Sequence, residues 1–385
     1  MKIYLFAIYI LFLLCVSFTF CFAQSNQTVL SGENIVPINF GGSVCSYNWV
    51  NDNPAIGLSA NGIGNIASFV AVNNTKFPVT ATITATPASS GFAYIADYFL
   101  NIVSVINLSS NTVVATIPVG LNPHNVDISD DGNFVYVANY HGGSISVINA
   151  ATNTVVGNIV TDDYQEAIVL SSDGQRAYSI SGGGKFYTIN TVTNTVINTF
   201  PLNLTSNSMC LSADGKYVYI APHYSNEVVV FNTQNNTVEY TVSVGAYANA
   251  VCLSPDGLSL YVTVQDNSVK VINTSTRSVS PVVSVAYPYA TCISPDGKIL
   301  YVTSAGNSVV AINTIAKSIL WSMPVGPYSE GISLNKDGSR LYVANQGSGT
   351  VSVINTIQIH YQRAFEWEQT LILWVILYQP VVLNR

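Results

Sequence analysis

From about residue 91 onward, apolar residues come in short runs that alternate with polar ones or fill a single strand length. Each run is cut by Gly, Asn, Asp, Ser or Thr. Phe134 to Asn139, Ser144 to Asn149 and Thr154 to Val160 are three such runs. A period of two between turn residues predicts half-buried or buried β-strands. No segment sustains a helical period with capping signals, so the pattern predicts an all-β chain.

The runs repeat. Asp-Gly pairs begin at Asp131, Asp173, Asp214, Asp256, Asp296 and Asp337, at intervals of 42, 41, 42, 40 and 41 residues. A tyrosine lies five residues after each Asp: Tyr136, Tyr178, Tyr219, Tyr261, Tyr301 and Tyr342. Tyr94 adds a seventh copy. An apolar-Asn step closes the next strand at Asn107, Asn149, Asn190, Asn232, Asn273, Asn313 and Asn355. In the second copy, strand A is expected over Asn125 to Ser129 and strand B over Phe134 to Asn139. Strand C is expected over Ser144 to Asn149 and strand D over Thr154 to Val160. Four short strands in about 41 residues is the size of one propeller blade.

Tyr136-Val-Ala-Asn139, Tyr261-Val-Thr263, Tyr301-Val-Thr303 and Tyr342-Val-Ala-Asn345 resemble the signature of the Tyr-Val-Thr-Asn (YVTN) propeller family. So does Ser144-Ile-Ser-Val-Ile-Asn149 with the Ala-Thr-Asn-Thr-Val-Val156 that follows. The resemblance covers about Gly91 to Thr356. It implies a propeller of bacterial surface and secreted proteins. Tyr178-Ser-Ile180 and Tyr219-Ile-Ala221 depart from the signature at conservative strand positions. The Gly-His and Trp-Asp pairs of WD repeats do not recur.

The expected fold is a seven-bladed β-propeller preceded by a small β-sandwich-like module. Residues 1–23 form a signal peptide, 24–90 the module and linker, 91–356 the propeller and 357–385 a non-repeat tail. The repeat supplies 26 strands where seven complete blades need 28. Strand D of the last blade and strand A of the first are missing. A slip of reading frame near Thr356 is one account of the tail. Shifting permissible codons by two bases from Ile357 yields Thr-Asn-Thr-Leu-Ser-Ala-Ser-Val-Arg-Val, a strand D, and then a second segment resembling a strand A. Sequencing the DNA of independent isolates tests that account. The eight apolar residues Leu371 to Tyr378 are too few for a membrane span.

At the other end, Lys2, the apolar stretch Ile3 to Leu14 and Cys21-Phe22-Ala23 read as a secretory signal with cleavage after Ala23. Between it and the repeat, Thr28 to Leu30, Ile35 to Phe40, Cys45 to Val50, Ile66 to Val72 and Val79 to Thr86 are expected strands. They resemble a small Ig-like or polycystic-kidney-disease-like module. Pro87 to Gly91 is the linker.

Composition then narrows function. Charged residues are 9% and the formal net charge is −7. No basic run exists to neutralise phosphates, so nucleic acid is excluded as a partner. Hydrophobic residues reach 49%, as expected where blades bury both faces against neighbours. Cys210, Cys252 and Cys292 each lie four residues before an Asp-Gly turn, equivalent positions that rarely meet in disulfide geometry. They are expected as small buried hydrophobes.

His124, His141, His223 and His360 show no metal-pair spacing on one strand, and Cys-x-x-Cys-His is missing. No nucleophile elbow or phosphate loop occurs. No cofactor, metal or catalytic residue is therefore expected. Propeller ligands sit at one mouth of the channel, where D-to-A loops end. Nine residues before each Asp lie Asn122, Tyr164, Thr205, Tyr247, Tyr287 and Tyr328. Seven before lie His124, Glu166, Asn207, Asn249, Tyr289 and Glu330. Tyrosines above a polar ring suit a sugar or peptide. The expected function is an exported binding or scaffolding propeller, secreted or at the bacterial cell surface. Its partner would be protein or polysaccharide. A lactonase-like hydrolytic propeller is the alternative, with Asp127, Glu166, Asn207, Asn249 and Glu330 as its metal-binding candidates.

Overall fold

The computed structural model describes residues 6–11, 29–38, 46–63, 66–88, 91–108, 110–161, 164–206 and 208–356. The tail 357–385, Asn207 and the expected cleavage site Cys21 to Ala23 lie outside them. The chain divides into two compact units. One is Met1–Phe92 with Asn107–Ser110, and the other is Ala93–Ile106 with Asn111–Arg385.

In the first unit, β1 (Phe6–Leu11), β4 (Val79–Ala88), β2 (Ser46–Asn51) and β3 (Asn61–Ile63) form a sheet in that order. Among the described residues, two expected strands, Ile35 to Phe40 and Ile66 to Val72, contribute the isolated bridges Asn34↔Val70 and Ile38↔Ile66. Asn61–Ile63 is a strand that the sequence pattern did not suggest. It forms because Gly62 leaves room for Trp49. A Cβ there would stand 2.2 Å from the indole. Trp49 packs with Ile35, Ile38, Ile56 and Ile83 in a buried core. Phe6–Leu11, within the expected signal peptide, pairs parallel with Val79 to Thr84.

The second unit is the repeat. Its first sheet holds β5 (Phe92–Asp97), β6 (Ile102–Asn107) and β7 (Thr112–Pro118). Its second holds β8 (Pro123–Ile128), β9 (Phe134–Asn139), β10 (Ser144–Asn149) and β11 (Thr154–Val160). The third holds β12 (Gln165–Leu170), β13 (Arg176–Ser181), β14 (Lys185–Asn190) and β15 (Thr195–Pro201), and the fourth β16 (Ser208–Leu211), β17 (Tyr217–Ala221), β18 (Glu227–Asn232) and β19 (Thr237–Ser243). The fifth holds β20 (Ala248–Leu253), β21 (Ser259–Val264), β22 (Ser268–Asn273) and β23 (Val279–Ser284), and the sixth β24 (Pro288–Ile293), β25 (Ile299–Ser304), β26 (Ser308–Asn313) and β27 (Ser318–Pro324). The seventh holds β28 (Ser329–Leu334), β29 (Arg340–Asn345) and β30 (Thr350–Asn355). In the second copy, strands B, C and D have the expected bounds. Strand A starts two residues early, because Pro123 already pairs with Asn139 ahead of a bulge.

The sequence signals now have physical causes. At five of the six Asp-Gly turns the Asp accepts from a preceding serine, as in Ser129 Oγ to Asp131 Oδ1 at 2.6 Å, while Asn335 stands in that place before Asp337. Asp131 also accepts the Asn133 amide at 2.9 Å, while Gly132 takes φ of 72°. The serine hydroxyl, with these amides, holds the carboxyls of Asp131, Asp173, Asp214 and Asp256 below the usual range. The strand-B tyrosine braces the next sheet. Tyr94 and Tyr136 hydroxyls donate to Asn153 Oδ1 at 3.4 Å and Asn194 Oδ1 at 3.3 Å. Both asparagines sit at φ of 53° in a C-to-D turn, a conformation asparagine tolerates well.

Six buried apolar clusters each join two consecutive sheets. One runs from Val103, Val105 and Ile117 to Val135 and Val137. Another runs from Tyr219 and Val230 to Leu260 and Val262. Each fully buried aliphatic side chain contributes about 1.5–3 kcal/mol. Alternate residues of one strand feed two different clusters, which is why both faces of each sheet are apolar.

Candidate functional site at the channel mouth

Strand A of the second to seventh sheets sits innermost. Val126, Ile168, Met209, Val251, Thr291 and Ile332, from six different sheets, line one cavity of about 420 Å³. Asn125, Asp127 and Ser208 add polar atoms to its wall. Side chains lace the inner strands together. Asp127 Oδ2 accepts the Leu170 amide at 2.7 Å, and Asn125 Oδ1 accepts that of Ile168 at 3.1 Å. Ser208 Oγ accepts the Val251 amide at 3.0 Å. Burial pushes the Asp127 carboxyl up to about 6, against the lowering effect of its two backbone amides.

At the end where strand A begins, rings from three sheets converge. Tyr140 stacks on Tyr164 with centroids 5.3 Å apart and planes 28° from parallel. His141 meets Tyr140 edge-on at 4.8 Å and Tyr164 at 5.3 Å. Tyr98 lies 6.2 Å from His124, 6.3 Å from Tyr140 and 6.4 Å from His141. Tilted, stacked and edge-to-face contacts of this kind are the favoured aromatic geometries.

Hydrogen bonds set both imidazole tautomers. His124 Nδ1 lies 2.9 Å from the Glu166 carbonyl oxygen, which can only accept, so Nδ1 carries the proton. Asn122 Nδ2 donates to the Tyr98 carbonyl at 2.9 Å, which turns Asn122 Oδ1 toward His141 Nδ1 at 2.9 Å. His141 Nδ1 therefore also carries a proton. In the neutral form each ring keeps a bare Nε2 lone pair.

Of the predicted mouth residues, His124 and Tyr164 enter this cluster. Tyr247 meets Tyr224 edge-on at 6.0 Å, and Tyr224 meets His223 at 5.7 Å. Tyr287 and Tyr328 stand 68% and 65% exposed, with φ of 47° and 52°. Positive φ in a tyrosine costs roughly 1–3 kcal/mol. It is held by the Asn267 and Asn307 side chains, whose oxygens accept the two tyrosine amides at 2.8 and 3.3 Å.

The second predicted ring does not present a common polar face. Glu166 is only 5% exposed, and its Oε2 takes the Ser206 amide at 2.8 Å. Asn249 is committed to the Pro288 carbonyl at 2.7 Å and to Gln265. The backbone carbonyl of Tyr289 accepts from Thr263 at 2.6 Å. Glu330 is exposed at the mouth. Partial burial raises its carboxyl, and His124 opposes the rise. His223 is held below the usual imidazole value by burial and by His124. Among the described residues, no three His, Cys, Asp or Glu side chains gather as a metal site. Of the lactonase-like set, Asp127, Glu166 and Asn249 are bonded to neighbouring backbone, and Asn207 lies outside the described residues.

Sequence reading passed over Tyr98, Tyr140, His141, His223 and Tyr224. The signal was in the B-to-C loops. Tyr140-His-Gly-Gly143 and Pro222-His-Tyr224 carry rings where other copies have Asp266-Asn267 or Gly306-Asn307.

Residues 67–168 match the family model described as the cytochrome D1 heme domain. Among solved structures, hydrazine synthase of Kuenenia stuttgartiensis matches at TM-score 0.64 and 20% identity. The match covers 70% of this chain and 94% of that one. A functionally unknown protein from Desulfotomaculum acetoxidans matches at TM-score 0.63 and 17% identity, over 70% and 93%. The chain is a β-propeller. No curated protein matches. Among the described residues of this propeller chain, no helix is long and apolar enough to cross a membrane.

Proposed function

We propose that this propeller is an exported binding protein, secreted or held at a bacterial cell surface. Seven YVTN-type blades would present one mouth to a protein or glycan. The observation that carries the reading is the convergence of Tyr98, Tyr140, Tyr164, His124 and His141 from three successive sheets. Flat exposed rings recognise sugar faces and peptide planes by stacking, and imidazole Nε2 atoms accept hydrogen bonds from hydroxyl or amide donors. A glycan and peptide array with wild type, Tyr140→Ala and Tyr164→Ala tests it. Binding that both variants retain in full overturns this placement of the site.

A second reading is a haem-linked redox propeller. The segment matching the heme-domain family model, 67–168, contains all five residues of the cluster. The donor set fits in part. The His124 ring is held by the Glu166 carbonyl with Nε2 unprotonated in the neutral form, and the stacked pair of Tyr140 and Tyr164 lies beside it. Bound there, haem would supply one-electron chemistry. This chain would hold it through His124 or His141 and shield one face with tyrosine. Titration with haem, followed by its absorbance in wild type, His124→Ala and His141→Ala, separates the readings. A saturable band that either variant removes favours haem, and unchanged free-haem spectra dismiss it.

A further inference from the structure

Asp127 stands on the wall of the 420 Å³ channel cavity. Among the described residues no Lys, Arg or His pairs with it. Its carboxylate is fixed in place. Oδ2 accepts the Leu170 amide from β12 at 2.7 Å, and Oδ1 accepts the Ile128 amide at 2.9 Å. An ionised carboxylate offers about four acceptor sites, so these two bonds leave the others for a ligand. A buried carboxylate without a counter-charge is costly. Burial accordingly lifts Asp127 to about 6, and the nearby Asp130 adds to the rise. At neutral pH the group is still ionised.

Two donors share the wall. Asn125 lies two residues earlier on β8, on the same face of the strand as Asp127. Its Oδ1 accepts the Ile168 amide at 3.1 Å, which leaves the Nδ2 protons to donate. Ser208 Oγ, on β16, accepts the Val251 amide at 3.0 Å and keeps its own proton. Neither donor is spent on another described residue. Val126, Ile168, Met209, Val251 and Ile332 supply apolar surface around them. A metal ion of the calcium kind would want six or more oxygens around one point. One carboxylate among aliphatic side chains suits an organic cation better. Small-molecule sites run to roughly 300–1,000 Å³, a range that includes this cavity.

We propose that this cavity is a second binding site, for a small primary ammonium that also carries a hydroxyl or carbonyl oxygen. Asp127 is the counter-ion, with charge-assisted bonds from the ammonium protons. Asn125 Nδ2 and Ser208 Oγ donate to the ligand oxygen, and the aliphatic side chains cover its carbon skeleton. The site lies farther along strand A than the aromatic mouth and does not depend on what the mouth binds. Titration of Asp127 sets its pH range. Tyr136, opposite on β9, and Cys210, on β16, are raised by burial and stay neutral. Glu166 on β12 holds the Ser206 amide. Val251, Thr291 and Ile332 from the remaining strands do not titrate.

Calorimetric titration of the full chain with ethanolamine and with glucosamine tests this. At pH 7.5 at least one of them should fill a single saturable site. Ethylene glycol and N-acetylglucosamine keep the oxygens and lose the charge, and should bind roughly tenfold more weakly or worse. Asp127→Asn keeps an oxygen for the Leu170 amide and should weaken the amine by a similar factor. Between pH 7.5 and pH 5 the wild type should lose about tenfold, as the ionised fraction of a carboxyl at about 6 falls. That measurement needs no variant. Equal affinity for charged and neutral probes, undiminished binding in Asp127→Asn, or no saturable binding of either amine overturns the proposal. Calcium binding at Asp127 with neither amine bound would make the site a metal site and overturn it as well.

Discussion

Arg340 reaches Asn111 across the seam of the repeat, with Nη1 donating to Oδ1 at 3.3 Å between residues 229 apart in sequence. In two other copies the turn asparagine receives a tyrosine hydroxyl from the preceding sheet, Asn153 from Tyr94 and Asn194 from Tyr136. At the seam arginine takes that place, and burial raises the Tyr342 hydroxyl while Arg340 beside it opposes the rise.

Arg340→Ala should therefore destabilise the chain by about 1–2 kcal/mol, the worth of a hydrogen bond from a charged donor. Thermal unfolding measures the loss. Hydrogen exchange should rise first in β5–β7 and β28–β30, and an even rise over all seven sheets would contradict a seam role.

The stacked pair makes a separate prediction. Removing one ring from Tyr140 and Tyr164 forfeits about 0.5–1.5 kcal/mol. Tyr140→Ala should weaken whichever ligand the array or haem titration identifies by roughly two- to tenfold. Tyr140→Phe keeps the ring and should keep most of the affinity. Circular dichroism checks that both variants retain the sheet signal.

Asp127 should give stability an unusual pH slope. Its folded carboxyl titrates at about 6 against an ordinary 3.8. The folded state thus holds the proton more tightly, so stability is greatest below about pH 4 for this group. It falls as pH rises through 6 and is level above. The loss is on the order of 2 kcal/mol, given partial solvent access at the cavity wall. Asp127→Asn keeps an oxygen for the Leu170 amide and removes the charge. It should unfold at higher temperature than wild type at pH 7.5 and at nearly the same temperature at pH 4.

The three inner-strand cysteines should be inert. Burial pushes the Cys252 thiol up to about 12, and Cys210 and Cys292 are raised as well. All three are free thiols. Alkylation at pH 8 should leave them unlabelled in the folded protein and label all three in guanidinium. Rapid labelling of any one in the folded state would show that its strand opens.

Much of this architecture was legible because a propeller is built from local rules repeated in register. Asp131-Gly132 reads as a turn because the carboxylate caps nearby amides and glycine accepts positive φ. Tyr136 recurs because it braces the next copy at Asn194, and Asn149 recurs because its Oδ1 accepts the Ala151 and Thr152 amides of its own turn. The expected bounds of strands B, C and D in the second copy follow directly. In the N-terminal module the same reasoning placed strands at Ile35 to Phe40 and Ile66 to Val72, where the chain makes only single bridges. With no repeat to average over, an apolar run there records burial and not pairing.

The amino-acid sequence by itself determined the turns, the strand lengths and the two-faced sheets, because each depends on residues close in the chain. Tertiary structure alone decided which rings meet. His124 and His141 are 17 residues apart, yet both touch Tyr98 and Tyr140, because strand A and the B-to-C loop end at the same mouth. Glu166 looked equivalent to His124 by count, yet it is buried against Ser206, because side-chain burial depends on the neighbouring sheet and not on the position in the repeat.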